Sequence, residues 1–387
     1  MANELTRRDI LSGGLAAAGL GFLGIPEWAL PAPVQGEVLV PFTDIPETFT
    51  TAPSPISRFL DIRKIAGPFT PSDQFFTVQH YGHAEVDGAT FRLKVTGLVD
   101  RPKEFSLDEL KRLGASELVA GFECSGNSPR PVQGLASNGG WSGVALNKVL
   151  AAAGVQSKAK EVVFFGADHG MEKVDFRNQT YEVDQQYGRS ILVEEATGPD
   201  PFLAYALNGE PLTRHQGFPL RLIMPGWYGM ANVKWLAQIH VQEERYLGKF
   251  QARWYRSLRG EKIGGEMKWV EAAIGRMRVK SVIARVTRQG DQLKVFGFAF
   301  NDGTPLKSVE VRIDDGPWQA ASIEPSESKY SWKLFSYVWK GATPGAHTLV
   351  SRATDVNGAV QPTREDLETK KTFLEDNAQF PRTVMVS

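Results

Sequence analysis

Apolar and polar positions change rhythm near residue 275, and the two rhythms predict two folding units. In the first, Phe91, Leu93 and Val95 alternate with polar residues, which predicts a strand over 90–97. Ser106, with Glu109 three residues on, predicts the N-cap of a short helix. A helical run from Leu146 to Ala153 ends at Gly154, a residue suited to a left-handed cap. Residues 117–122 read as a strand feeding a turn at Cys124, and 162–165 as a short apolar strand with a polar loop over 166–170. Further strands are expected at 220–223, broken by Pro225-Gly226, and at 233–241. This is the pattern of a mixed α+β domain whose polar loops follow its strands.

After residue 275 the runs are short and strand-like throughout, at 279–286, 292–300, 308–313, 331–338 and 347–353. Turn signals separate them, among them Asn301-Asp302-Gly303 and Asn357-Gly358. Such spacing predicts a β-sandwich. The expected division is an N-terminal arm over 36–74, a first domain over 75–250 and a sandwich over 270–387. Residues 1–35 read separately. Thr6-Arg7-Arg8 precedes a mild apolar run rich in Gly and Ala, the pattern of a twin-arginine export signal and of a periplasmic protein. The glycines in that run disfavour a stable spanning helix, so no membrane span is expected in the mature protein.

At 387 residues the chain exceeds one ordinary core. Its 44 basic residues balance 44 acidic ones, which argues against nucleic acid as a partner. The single cysteine excludes an intrachain disulfide and a Cys-x-x-Cys-His haem attachment within this sequence. His80 and His83 lack further ligands at zinc spacing, and neither a dinucleotide fingerprint nor a Gly-x-Ser-x-Gly elbow is present.

The lone cysteine is itself informative. A buried structural cysteine sits among aliphatic residues, but Cys124 lies in Glu123-Cys124-Ser125-Gly126-Asn127, where small residues let the backbone approach something polar. A thiolate ligand for a soft metal fits that setting. Together with Trp141-Ser142-Gly143-Val144, 202–212, 217–222, Pro225-Gly226 and 233–236, this turn resembles the sulfite oxidase family of molybdenum enzymes.

The resemblance implies a molybdenum–molybdopterin cofactor with Cys124 as the one protein ligand of the metal. It implies cofactor contacts from Gln79, His80, Asp168, His215 or Gln216, Arg221, Asn232 and Lys234. It also implies that the late β-rich region is an immunoglobulin-like dimerisation domain. The residues leave plainer alternatives open: Arg221 and Lys234 as solvated charges, His80 as a hydrogen-bonded structural residue and Asp168 as a turn cap. Arg130 and Tyr255 are the implied substrate-site residues, although the cluster 253–256 also reads as a packed domain junction. The family's sulfite oxidases carry an arginine two residues before the histidine, where this chain has Val78.

The implied activity is oxidation of sulfite or a related small sulfur oxyanion, with electrons passed to a c-type cytochrome by a homodimer. The alternatives are a periplasmic reductase of S- or N-oxides such as methionine sulfoxide, and an exported binding protein without catalysis.

Overall fold

The computed structural model describes residues 37–46, 54–127, 133–326 and 328–387. The export signal expected over 1–35 and Arg130 lie outside the described residues. The capping box at Ser106 and Glu109 forms, and it starts a helix over Leu107–Arg112. The helix Leu146–Ala153 ends at Gly154 in the left-handed region, as its sequence predicts.

Helix is nevertheless sparse, and the α+β expectation gives way to a mostly β fold. One five-stranded sheet runs in the order Glu210–Pro211, Phe202–Leu207, Ala136–Ala145, Ser116–Glu123, with Arg221–Ile223 also paired to Phe202–Leu207. The other runs Lys103–Phe105, Leu93–Gly97, Leu236–Gln242, Glu161–Phe176, Gln179–Leu192. The main discrepancy is local. Residues 166–170, expected as a loop, continue the strand Glu161–Phe176 into a long ribbon with Gln179–Leu192, and a register shift lies between Phe165 and His169. A bulge of this kind bends a ribbon and re-aims a side chain, here Asp168.

The C-terminal unit pairs a five-stranded sheet with a four-stranded one over a shared core that includes Ile283, Val295, Phe335, Leu349 and Val384. The segment expected as a loose arm supplies its edge strand. Val38–Val40 pairs with Lys280–Gln289, and Asp44 accepts from Arg382 Nη1 at 3.1 Å. Leu60, Ile62 and Ile65 from the same segment are buried in the first core. Residues 256–273, which bridge the gap between the two expected domains and overlap the start of the second, form a hairpin of Arg256–Ile263 with Glu266–Ala273.

The two units share a buried seam. Phe298 and Trp332 belong to the first core, stacked with ring centroids 4.3 Å apart. Asn138 Nδ2 donates to Ser331 Oγ at 3.0 Å, and Gly121 N–H donates to Tyr330 O at 3.0 Å. A cavity at this seam is expected to weaken both units together. Trp332→Ala should cost about 3–5 kcal/mol, read as a single denaturant transition shifted downward in both fluorescence and circular dichroism. Two separated transitions would contradict a shared seam.

Candidate active site

Strand ends and the loops after them converge on a single cleft. Its wall takes Phe76 to His80 from one extended segment, Cys124 from beyond the strand Ser116–Glu123, and Asp168 and Tyr187 from the ribbon. Arg221, the loop from Gly229 to Lys234, and Tyr255 complete it. Of the implied site residues described, Gln79, His80, Cys124, Asp168, Arg221, Asn232, Lys234 and Tyr255 therefore meet in one place.

One end of the cleft is cationic. Arg221 is 4 % exposed and makes its hydrogen bonds to backbone carbonyls, Gln216 O at 2.9 Å and Asn232 O at 3.2 Å. Its guanidinium lies 5.1 Å from the Trp141 ring, and its Nε is buried without a hydrogen-bond partner. Burial pushes its pKa down. Lys234 is open only in part, donates to Gln79 Oε1 at 3.0 Å, and lies 4.4 Å over the Trp235 ring. Burial depresses the lysine and raises Asp168, the carboxylate on the same wall.

The backbone is shaped for this approach. A Cβ on Gly217, at φ +102°, would meet Lys234 Cβ at 2.8 Å; one on Gly166 would meet Asp168 Oδ1 at 2.3 Å. Trp235, just after the lysine, holds the left-handed region at φ 48°, a strained setting for a bulky residue.

His215 and Gln216 lie outside the residues that line the cleft, and their side chains face different partners. The Gln216 amide accepts from Thr213 N in its own turn and donates to Ser72 O in a distant segment. His215 Nδ1 instead meets His83 Nε2 at 2.8 Å, and that nitrogen also meets Gln79 Nε2 at 3.1 Å. Asn232 likewise serves its loop, accepting from Met224 N and donating to Tyr228 O. His83 therefore links His215 to the cleft-lining Gln79, a connection the sequence alone does not predict. In the sequence His83 stands only as a candidate zinc partner of His80.

The other end is neutral and aromatic. His80 Nε2 and Tyr255 Oη are 2.7 Å apart. The His80 ring stacks on Phe250 at 4.8 Å and on Tyr187 at 5.8 Å. Burial, with Lys249 and Lys234 adding to it, pushes His80 down to about 4, so it is neutral near pH 7. Burial raises Tyr255 well above the ordinary phenol value. Cys124 Sγ accepts from Gly126 N–H at 3.4 Å, and burial pushes the thiol up to about 11. A bound metal ion supplies the positive charge that makes such a thiol a thiolate ligand.

Do these residues fit an anionic pterin with a metal? Two cations facing a single carboxylate, the partnerless Arg221 Nε and Thr77 Oγ1 on the cleft-lining residues, and one soft sulfur in the same cleft form a donor set for such a group. Comparison with known proteins decides the family. Residues 80–250 match the oxidoreductase molybdopterin binding domain. The chain belongs to the sulfite oxidase family of molybdopterin-dependent oxidoreductases. It is 30% identical over 325 residues to mitochondrial sulfite oxidase of Homo sapiens, covering 76% of this chain and 57% of that protein's length. A nitrate reductase [NADH] of Ulva prolifera is 32% identical over 206 residues, 49% of this chain and 22% of that one. Among solved structures, the sulfane dehydrogenase SoxCD of Paracoccus pantotrophus superposes with a TM-score of 0.72 at 26% identity, covering 88% of this chain and 90% of that chain. The donors lining the cleft fit the family's cofactor: Cys124 would hold the metal, and Arg221, Lys234 and Gln79 would hold the pterin and its phosphate.

The depressed His80 makes a pH prediction. Above pH 6.5, the ordinary histidine value, it contributes no pH dependence. Between pH 6.5 and about 4 the unfolded chain binds a proton that the folded chain refuses, so stability falls as pH falls, by up to about 3 kcal/mol. His80→Gln should flatten that part of a melting temperature–pH curve relative to the wild type. An unchanged slope would contradict a buried neutral imidazole.

Proposed function

We propose that the protein is an exported molybdenum oxidoreductase that oxidises a small reduced sulfur compound, with sulfite as the reference substrate. Sulfite and water give sulfate, two protons and two electrons, and the electrons pass singly to a c-type cytochrome. The observation that carries this reading is the shared cleft of one sulfur ligand, a cationic end and a neutral His80–Tyr255 end. The cofactor, when bound, supplies oxygen-atom and electron chemistry; the chain supplies orientation, charge and exclusion of water.

Its own residues have separable tasks. Arg221 and Lys234 hold negative charge in a low-dielectric wall. Tyr255 keeps its proton and His80 stays uncharged, so the pair presents a hydrogen-bond donor to the substrate rather than a second cation. Val78 makes the adjacent wall apolar. A wall without the family's arginine favours a softer, less charged sulfur compound, and the Paracoccus neighbour is described as a sulfane dehydrogenase. Export by the twin-arginine route, which carries folded and loaded proteins, and pairing of two copies through an immunoglobulin-like C-terminal sandwich complete the proposal.

Steady-state turnover with sulfite and oxidised cytochrome c, set against methionine sulfoxide with a reduced dye, tests the direction and substrate class. Turnover only in the second assay would replace oxidation by S-oxide reduction, and a purified protein free of molybdenum after loading would leave a binding protein. Cys124→Ser should reduce turnover below detection while the circular dichroism spectrum is retained. Val78→Arg should lower KM for sulfite several-fold; an unchanged KM would place the anion elsewhere.

A further inference from the structure

The cysteine turn is not held by the first domain alone. Lys280, at the start of the strand Lys280–Gln289 in the C-terminal unit, reaches across the seam to Glu123, the residue before the cysteine. Its Nζ lies 2.5 Å from Glu123 Oε1, and the two side chains are 2 % and 3 % exposed. The same oxygen accepts from Asn127 Nδ2 at 2.8 Å, and Asn127 Oδ1 accepts from Leu135 N–H at 3.3 Å. Lys280 Nζ also donates to Asp376 O at 2.9 Å.

A second, independent contact comes from the segment containing that aspartate. Glu375 N–H donates to Ser125 O at 2.8 Å, and Phe373 and Leu374 lie where a side chain on Gly126 would point. Glu375 holds φ 55°, a conformation that costs a non-glycine residue energy and persists only where its surroundings enforce it. The segment is pinned in turn: Asn377 Nδ2 donates to Val279 O at 3.0 Å, and Arg364 pairs with Asp376 at 2.8 Å.

We infer that Lys280 is a positioning residue for Cys124, and that residues 373–377 form a strap over the cysteine turn, so that the C-terminal unit completes the metal-ligand loop. The inference rests on Cys124 being the metal ligand. The ammonium fixes the Glu123 carboxylate, the carboxylate fixes Asn127, and the strap holds Ser125; the sulfur between them is left one orientation. Outer contacts of this kind tune metal sites about 10- to 100-fold.

The test is molybdenum K-edge X-ray absorption on purified, cofactor-loaded wild type, Cys124→Ser and Lys280→Met, with metal content, melting temperature, kcat and KM measured beside it. The wild type should show one more molybdenum–sulfur contact than Cys124→Ser; if it does not, the ligand assignment itself fails. Lys280→Met should retain pterin and molybdenum but show a weakened or lengthened contact to the Cys124 sulfur, with kcat down about 10- to 100-fold and KM within a factor of about two. A lower melting temperature with a wild-type sulfur shell and wild-type kcat would overturn the positioning role and leave a stability element. If Lys280→Met does not fold because Glu123 is left buried and unpaired, Glu123→Gln/Lys280→Met removes both charges. That variant should fold and still show the altered sulfur shell, and a wild-type shell in it would overturn the inference.

Discussion

Two buried cations facing one carboxylate set the terms for the rest of this molecule. Arg221 and Lys234 line a cleft where Asp168 is the only acidic side chain among the described residues of the wall. Taking a cation out of water costs several kcal/mol unless geometry and hydrogen bonds compensate. Here the compensation is partial: backbone carbonyls and aromatic faces for Arg221, an amide oxygen for Lys234. A fold that retains such a shortfall is built to receive an anion. The close approaches at Gly166 and Gly217 and the left-handed Trp235 are local concessions that bring the cations and the aspartate to the same wall.

What could be read in the sequence was what is local. The Ser106 capping box and the Gly154 cap depend on residues three or four apart, and both appear where expected. The lone Cys124 among small residues, and the ordered segments after it, carried the family. What could not be read was what depends on distant partners. The ribbon beyond Phe165 alternates polar residues on both faces, so nothing in its hydropathy marks it as strand; its ladder with Gln179–Leu192 does. The edge strand Val38–Val40 takes its partner from more than 240 residues away. That the Gln216 amide caps its own turn needed the fold of that turn, invisible in composition.

The C-terminal unit gains a meaning from the same distinction. Its strand pattern predicts a sandwich, and a sandwich alone reads as an appendage or a contact between copies. The contacts give it a part in the site. Lys280 and Asp376 belong to that unit, Glu123 and Asn127 to the first, and their polar atoms meet in a volume closed to solvent. Polar groups so buried must satisfy one another, which makes the arrangement specific as well as costly to disturb.

The extended segment through Thr77 and Gln79 joins the two ends of the cleft. Side chains alternate along extended backbone, and here Thr77 and Gln79 are buried while Val78 and His80 are half-buried. Gln79 turns to Lys234 and the cationic end; His80 turns to Tyr255 and the aromatic end. By the same alternation Val78 shares a side with His80. The residue that departs from the family's pattern therefore stands on the His80 side of the segment and leaves the cationic end intact. A change confined to that face leaves the Gln79 contact with Lys234 in place, so one segment serves both ends of the cleft through its two faces.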